Sequence, residues 1–533
     1  MIFFFSLFIV PSFSEYFALL LNDLHMHATY RNSFQRLAWL CREGVHSMHG
    51  LKFIVLNGDL VDSGSPLFSL QGPGQREEEW LMLQEALDGC VKKIPVLPVR
   101  GNHDCFDVMG YDHKTNEFYL RFRKWLDTEN KKKGVEISRF SPSLGSVGKG
   151  SYSVNWGADL DFQTSLLLDN CLAGLNRHFF AKYPTDLDAW VKEEISRSKG
   201  NVTVFTHFPT GTFYPTDRNR LISTLLQNHK KISGIHSGHI HWMYGFRAQT
   251  LLGELMGERN IREHELVDFA GTGYVRIMGL KSGLLLDGSV KDEKFPIIAN
   301  ARYDCSYAAV FDKDSMKEVL GISSAGKDEL LTPLGNGWHK TCSESLVIEA
   351  HGKKVSIVND RYLTGILRWG FLHIYEFYAI LTLIMYILMV RVLYGFYQRS
   401  QDLVDKFVVI LGIVFPILPW AVGFGWEDRI CICGVWGMID IQTLEWRPMD
   451  LNTLQMLPLM LRVIVKVGAL SFKKGSVMQV FCSILLVATT LLGVKLLVLT
   501  YGPFLLLSPL FVWECICWGI KAKTYLTVKY KKE

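Results

Sequence analysis

The stretch VLPVRGNHD, Val96 to Asp104, joins an apolar run to an abrupt cluster of polar chemistry. Val96–Val99 reads as a buried strand. Gly101 permits a tight turn, and Asn102, His103 and Asp104 then offer an amide, an imidazole and a carboxylate in succession. Loops at strand ends are where a rigid scaffold displays reactive groups, so the fold turns on whether other strand ends in this chain do the same.

Four more do. Phe17–Leu21 is followed by Asp23 and His25, and Phe53–Leu56 by Asp59 and Asp62. Val202–Phe205 is followed by His207, and Ile232–Ile235 by His239 and His241. Carboxylate oxygen, imidazole nitrogen and amide oxygen suit Mn²⁺, Fe or Zn²⁺, and no cysteine takes part. One such motif carries a real risk of chance; five in order, each behind a strand, are specific. Segments of helical spacing (33–48, 75–87, 117–126, 187–198, 218–228) alternate with these runs and with a further strand at 166–168. That alternation predicts an α/β domain over 15–290.

The set resembles the calcineurin-like metallophosphoesterase superfamily, whose pattern is DxH, GDxxD, GNH[DE], H and GHxH. Here these are Asp23–His25, Gly58–Asp62, Gly101–Asp104, His207 and Gly238–His241. The resemblance covers about 16–280 and implies two packed mixed β-sheets flanked by helices. It implies one metal held by Asp23, His25 and His241, a second by Asn102, His207 and His239, and Asp59 between them. A metal-activated hydroxide is then the nucleophile, and His103 the general acid at the leaving group. Asp62 would orient His103, although a helix N-cap explains it as well. Asp104 reads as a loop brace and Cys105 as buried. His27 reads as a solvated loop residue. His236 reads equally as a pocket residue or a strand-end histidine.

Composition bounds the rest. At 533 residues the chain is too long for one core. A net charge of +5 without a basic, aromatic-interleaved stripe argues against a nucleic-acid partner. None of the eleven cysteines forms a CxxC pair; Cys305 and Cys342 are a candidate disulfide if that region faces an oxidising compartment. Residues 1–14 read either as a signal-peptide core or as a truncated start. Residues 295–365 have short apolar runs broken by Gly, Asp and Lys, and suggest a small β-rich module.

Residues 371–520 are dominated by apolar runs, including Phe377–Val390, Phe407–Trp426, Val477–Val494 and Leu496–Val512. Four or five helical spans and a lipid-bilayer partner are expected, followed by a basic tail at 521–533. Arg391, Arg399 and Lys406, then Lys473 and Lys474, then Lys521 and Lys523 bias three segments to the cytosol. Five spans satisfy all three and leave the N-terminal domain lumenal; four place it in the cytosol. Lys529 and Lys531 sit where an endoplasmic-reticulum retrieval signal would place them, and also read as a simple basic flank. Asn201 begins an Asn-Val-Thr glycosylation sequon.

Phosphoprotein phosphatases of the superfamily carry an arginine after GDxxD; here Ser63 follows Asp62. The architecture is more similar to the multi-pass transmembrane protein sixty-two group, through segments such as 265–271 and 295–305, than to the membrane diesterases that trim glycosylphosphatidylinositol lipids. The expectation is a membrane-anchored phosphoesterase acting on a phosphate mono- or diester, lipid-linked in one version. The alternative is a membrane scaffold or sensor that binds metal without turnover.

Overall fold

The structure is a computed structural model. It describes residues 16–290 apart from 64–73, 107, 109, 143–146, 172–179, 242–248, 253–260 and 281–284, and beyond 290 the strands between 297 and 356, the residues of 365–399, residues 406 and 410, and four short strands between 421 and 447.

Twelve strands build two sheets: β1 (Phe17–Leu21), β2 (Leu51–Asn57), β3 (Val96–Val99), β4 (Ile137–Arg139), β5 (Tyr152–Asn155), β6 (Thr164–Leu168), β7 (Val202–Thr206), β8 (Ile232–Ser237), β9 (Gln249–Leu252), β10 (Ile261–Glu265), β11 (Tyr274–Gly279) and β12 (Leu285–Ser289). The first sheet has the order β12-β11-β1-β2-β3, the second β4-β5-β6-β7-β8-β10-β9. β1, β2 and β3 run parallel, as do β6, β7, β8 and β10. Antiparallel strands close three of the four edges, and the parallel strand β3 forms the fourth.

Both faces of each central strand are covered, which is why these strands read as unbroken apolar runs. Ala18, Leu20, Phe53 and Val55 pack with Tyr152, Val154, Leu167 and Phe205 between the sheets. The alternate residues Phe17, Leu19, Ile54 and Leu56 pack with Leu37, Trp80, Leu83 and Phe122 from helices Asn32–Trp39, Glu77–Val91 and Glu117–Lys132. On the outer face of the second sheet, Leu166, Leu168, Val202 and Val204 pack with Leu187, Val191, Leu221 and Leu225 from helices Thr185–Arg197 and Pro215–Gln227. A two-residue side-chain period thus sends each strand into two cores.

Between 297 and 356, eight strands form two four-stranded antiparallel sheets. Cys342, one half of the expected disulfide, lies outside the described residues. Ser306 pairs with Thr341 in one of these sheets. Two disulfides that spacing gave no hint of, Cys41–Cys90 and Cys105–Cys171, lie in the N-terminal domain.

Helix Gly365–Leu372 and then helix Ile374–Arg399 follow. Their junction docks on the second sheet's helices, where Phe371 and Leu372 enter the core. Arg218 donates to the Leu372 carbonyl at 2.8 Å and forks onto the Glu376 carboxylate at 2.7 and 2.9 Å. Gly211 faces the Phe371 carbonyl so closely that an added Cβ would meet it at 1.7 Å.

Of the expected spans, only the first is substantially described. Helix Ile374–Arg399 leaves Phe377, Ile380, Leu383, Ile384, Ile387 and Leu388 exposed, with side chains described only at intervals. Among the described residues no helix is long and apolar enough to cross a membrane. Within the run 407–426 the expectation of one unbroken helix is corrected at its end: Ile410 is helical, whereas Ala421–Phe424 is a strand paired with Ile430–Gly434. Gly423 within this strand disfavours helix there. The runs 477–494 and 496–512, the tail 521–533 and residues 1–14 lie outside the described residues.

Candidate metal centre

The C-terminal ends of β1, β2, β3, β7 and β8 converge, and their loops meet across the gap between the sheets. Asp23, His25, Asp59 and His241 bring one ligand atom each within 4.8 Å of one another. Asp59, His207 and His239 form a second such group. Asp59 therefore belongs to both. Asn102 completes the second group: its Oδ1 lies 2.8 Å from His239 Nδ1 and 3.2 Å from His207 Nε2. All seven residues expected as ligands thus stand in one site.

The backbone is bent to achieve this. Among the described residues eight non-glycines have φ in the left-handed region, and six of them are Asp23, His25, Asp59, Ser63, His239 and His241. Such conformations cost about 1–3 kcal/mol each and persist where the surroundings over-determine them. Gly101 allows a close approach between the loops: a Cβ there would meet Asp59 Oδ1 at 2.2 Å and His207 Nε2 at 2.7 Å.

The imidazoles are held from behind. His207 Nδ1 bonds the Asn57 main-chain oxygen at 3.0 Å, so Nε2, 3.4 Å from Asp59 Oδ1, faces the centre. His25 Nδ1 lies 3.3 Å from Asp62 Oδ1, while its Nε2 is 3.6 Å from Asp59 and 3.3 Å from His241 Nε2. A partner on one ring nitrogen fixes the orientation of the other for metal binding. Asp23 Oδ1 is buried and accepts no hydrogen bond, which leaves a lone pair aimed among His207 and His241.

Charge at the site is unbalanced toward carboxylate. Burial pulls His25 down, but Asp62, Asp59 and Asp23 outweigh it and lift it to about 9. His207 is likewise pulled down by burial and lifted to about 9 by Asp59 and Asp23. Burial raises Asp23, with Asp59 adding to it against His241 and His207. Burial also opposes ionisation of Asp59, but His207, His103 and His25 win and hold it well below the usual range. Cationic partners are thus what this donor set demands, and nitrogen and oxygen donors of this kind fit divalent metal ions.

His103 lies beside this cluster. Its main-chain nitrogen donates to Asp59 Oδ1 at 2.9 Å; Nδ1 meets the Asp62 carbonyl and lies 3.7 Å from Asp62 Oδ1. Its ring stands edge-on to His25 at 4.5 Å. Burial, with His25 opposing a second positive charge, lowers it to about 4 despite Asp59. Asp62 caps no described helix, since the following helix has Arg76 at its N-cap; it touches His25, His27 and His103 instead. Asp104 accepts from Leu60, Val61 and Gly101 main-chain nitrogens at 2.8–3.1 Å, bracing two strand-end loops against each other.

Two histidines sit elsewhere than their sequence context suggests. His27 is buried, not solvated: its Nδ1 accepts from the Thr29 and Tyr30 main-chain nitrogens, and Nε2 lies 3.8 Å from Asp62. His236 lies on β8 between Phe205 and His264, stacked on both and apart from the metal centre. Asn201 is exposed at the start of β7.

Three supporting groups escaped the sequence reading. Asn22 donates to Asp23 and to the Leu266 carbonyl. Asn57 donates to the Thr206 and His236 carbonyls, tying β2 to the second sheet. Both follow a buried strand leucine and precede a carboxylate of the site, in LNDLH and LNGDL, and that repeated Leu-Asn is the signal that could have found them. A sixth strand end, after β6, contributes Asp169, which takes Arg100 at 2.7 and 3.3 Å in a buried pair.

A family model for the calcineurin-like phosphoesterases matches residues 18–243. The match takes in every candidate ligand and stops two residues past His241. No curated protein matches the chain.

Proposed function

We propose that this chain is a membrane-anchored phosphoesterase that hydrolyses a phosphate mono- or diester at a dinuclear metal centre. The carrying observation is the convergence of seven donor side chains from five strand ends, with Asp59 common to two clusters. Asp23, His25 and His241 would hold one divalent ion, Asn102, His207 and His239 the other, and Asp59 both. Such a pair supplies an activated water near neutral pH and positive charge for phosphoryl oxygens. Mn, Fe and Zn all suit these donors.

The protein's own groups supply the rest. His103 takes its place beside the centre as the group that, once it carries a proton at Nε2, gives that proton to the leaving oxygen. Asp62 holds both His103 and His25 in register. The exposed apolar stripe of helix Ile374–Arg399 and the uncharged runs beyond it support membrane anchoring. Two disulfides and the exposed Asn201 sequon support a lumenal domain in the endoplasmic reticulum or another endomembrane, because disulfides persist in oxidising compartments.

The test is Mn²⁺-dependent hydrolysis of bis-p-nitrophenyl phosphate by the purified full-length chain. Turnover that disappears in Asp59→Asn supports the enzyme reading. Bound metal without turnover on any phosphoester would favour the scaffold or sensor. Digestion of the N-terminal domain by protease added outside sealed microsomes would sink the lumenal placement.

A further inference from the structure

Helix Glu77–Val91 supplies no donor to the metal centre, yet its start reaches both members of the His103–Asp62 pair. Gln75 Nε2 donates to the His103 carbonyl at 3.0 Å and to the Phe106 carbonyl at 3.2 Å. The amide's orientation is fixed from the other side, because the buried Trp80 indole donates to Gln75 Oε1 at 3.0 Å. In the first turn of the helix, the fully buried Glu79 accepts from the Ser63 main-chain nitrogen at 3.0 Å. Ser63 is the left-handed residue directly after Asp62 (φ 44°), and its carbonyl accepts from Gly74 at 3.0 Å.

Gln75 stands just before the helix and Glu79 in its first turn, so the helix start presents both contacts. One grips the main chain of His103, the other the main chain next to Asp62. Between them stands the link that sets the imidazole, His103 Nδ1 on the Asp62 carbonyl. With Nδ1 so engaged, Nε2 is the nitrogen left to exchange a proton.

We propose that Gln75 and Glu79 are positioning residues that hold His103 and Asp62 at the spacing proton donation requires. The inference rests on the phosphoesterase reading above. Neither residue touches the metal ligands' donor atoms, so their loss acts on the proton step and spares metal binding. A group supporting an acid matters most when the leaving group is a poor one. A phenol, with a pKa near 10 like that of tyrosine, needs the proton more than p-nitrophenol does.

The experiment compares diphenyl phosphate with bis-p-nitrophenyl phosphate, using the Mn²⁺-loaded full-length chain. Gln75→Ala, and the near-isosteric Gln75→Met should the first variant fold poorly, should lose roughly 10–100-fold in kcat on diphenyl phosphate. The loss on bis-p-nitrophenyl phosphate should be several times smaller, with bound metal unchanged. Glu79→Gln, which keeps an acceptor for Ser63, should retain activity that Glu79→Ala loses. Adding Gln75→Ala to His103→Ala should cost nothing further. Equal losses on both substrates, or additive losses in the double variant, would overturn the proposal. A wild-type chain inactive on both would overturn the phosphoesterase reading instead.

Discussion

His207 Nδ1 donates to the Asn57 main-chain oxygen at 3.0 Å, across the gap between the two sheets. The bond turns Nε2 toward Asp59 and Asn102, and the Asn57 side chain locks the same strand end to the Thr206 and His236 carbonyls. Asn57→Leu should therefore weaken two things together. Stability should fall by about 1–3 kcal/mol as buried carbonyls lose their donor. Metal affinity at the His207 position should fall by roughly 10–100-fold. Thermal unfolding and a metal titration on the same preparation check both.

Gly101→Ala tests how closely the centre is packed. An added Cβ collides with Asp59 and with the His207 ring, and Asp59 is common to both clusters. The variant should lose both metals and at least a hundredfold in turnover. Its far-UV circular dichroism should stay native, since the collision is confined to the site. Full metal content in this variant would show that Asp59 is not where the ions sit.

Glu263 gives a pH signature away from the chemistry. It accepts from the Thr210 nitrogen at 2.7 Å and hydroxyl at 2.5 Å, yet burial lifts it from 4.5 to about 7. The folded chain thus binds this proton more tightly than the unfolded one. The stabilisation is complete below about pH 4.5 and is lost as pH rises through about 7. Glu263→Gln, always neutral, should match the wild type near pH 4.5. Above pH 7 it should be the more stable, by up to about 3 kcal/mol. Unfolding midpoints measured across that range decide it; equal midpoints at pH 8 would contradict the reading.

The Arg218–Glu376 fork should couple the helix junction to the N-terminal domain. Arg218 is buried and Glu376 partly exposed, so removing either partner leaves the other poorly matched. In a double-mutant cycle of Arg218→Met and Glu376→Leu, the coupling energy should be about 1–3 kcal/mol. Limited proteolysis should also cut near residue 372 faster in either single variant.

The parallel strands and their ends were legible because each carries a long apolar run followed at once by a polar donor. That pattern depends only on local order along the chain. What escaped was made by contacts distant in sequence. Asn57 meets β7 and β8, Arg100 meets Asp169, and Cys105 meets Cys171. His27 read as solvated because its loop is polar, but the loop folds back so that the ring caps two backbone nitrogens. The run 407–426 read as one span because it lacks charge, whereas Ala421–Phe424 at its end pairs as a strand.

The most direct measurement of the dinuclear centre is electron paramagnetic resonance of the Mn²⁺-loaded full-length chain. Two ions sharing Asp59 should give an exchange-coupled multiline spectrum that collapses to an isolated-ion signal in Asp59→Asn. An isolated-ion spectrum in the wild type, at saturating metal, would contradict a shared two-metal site.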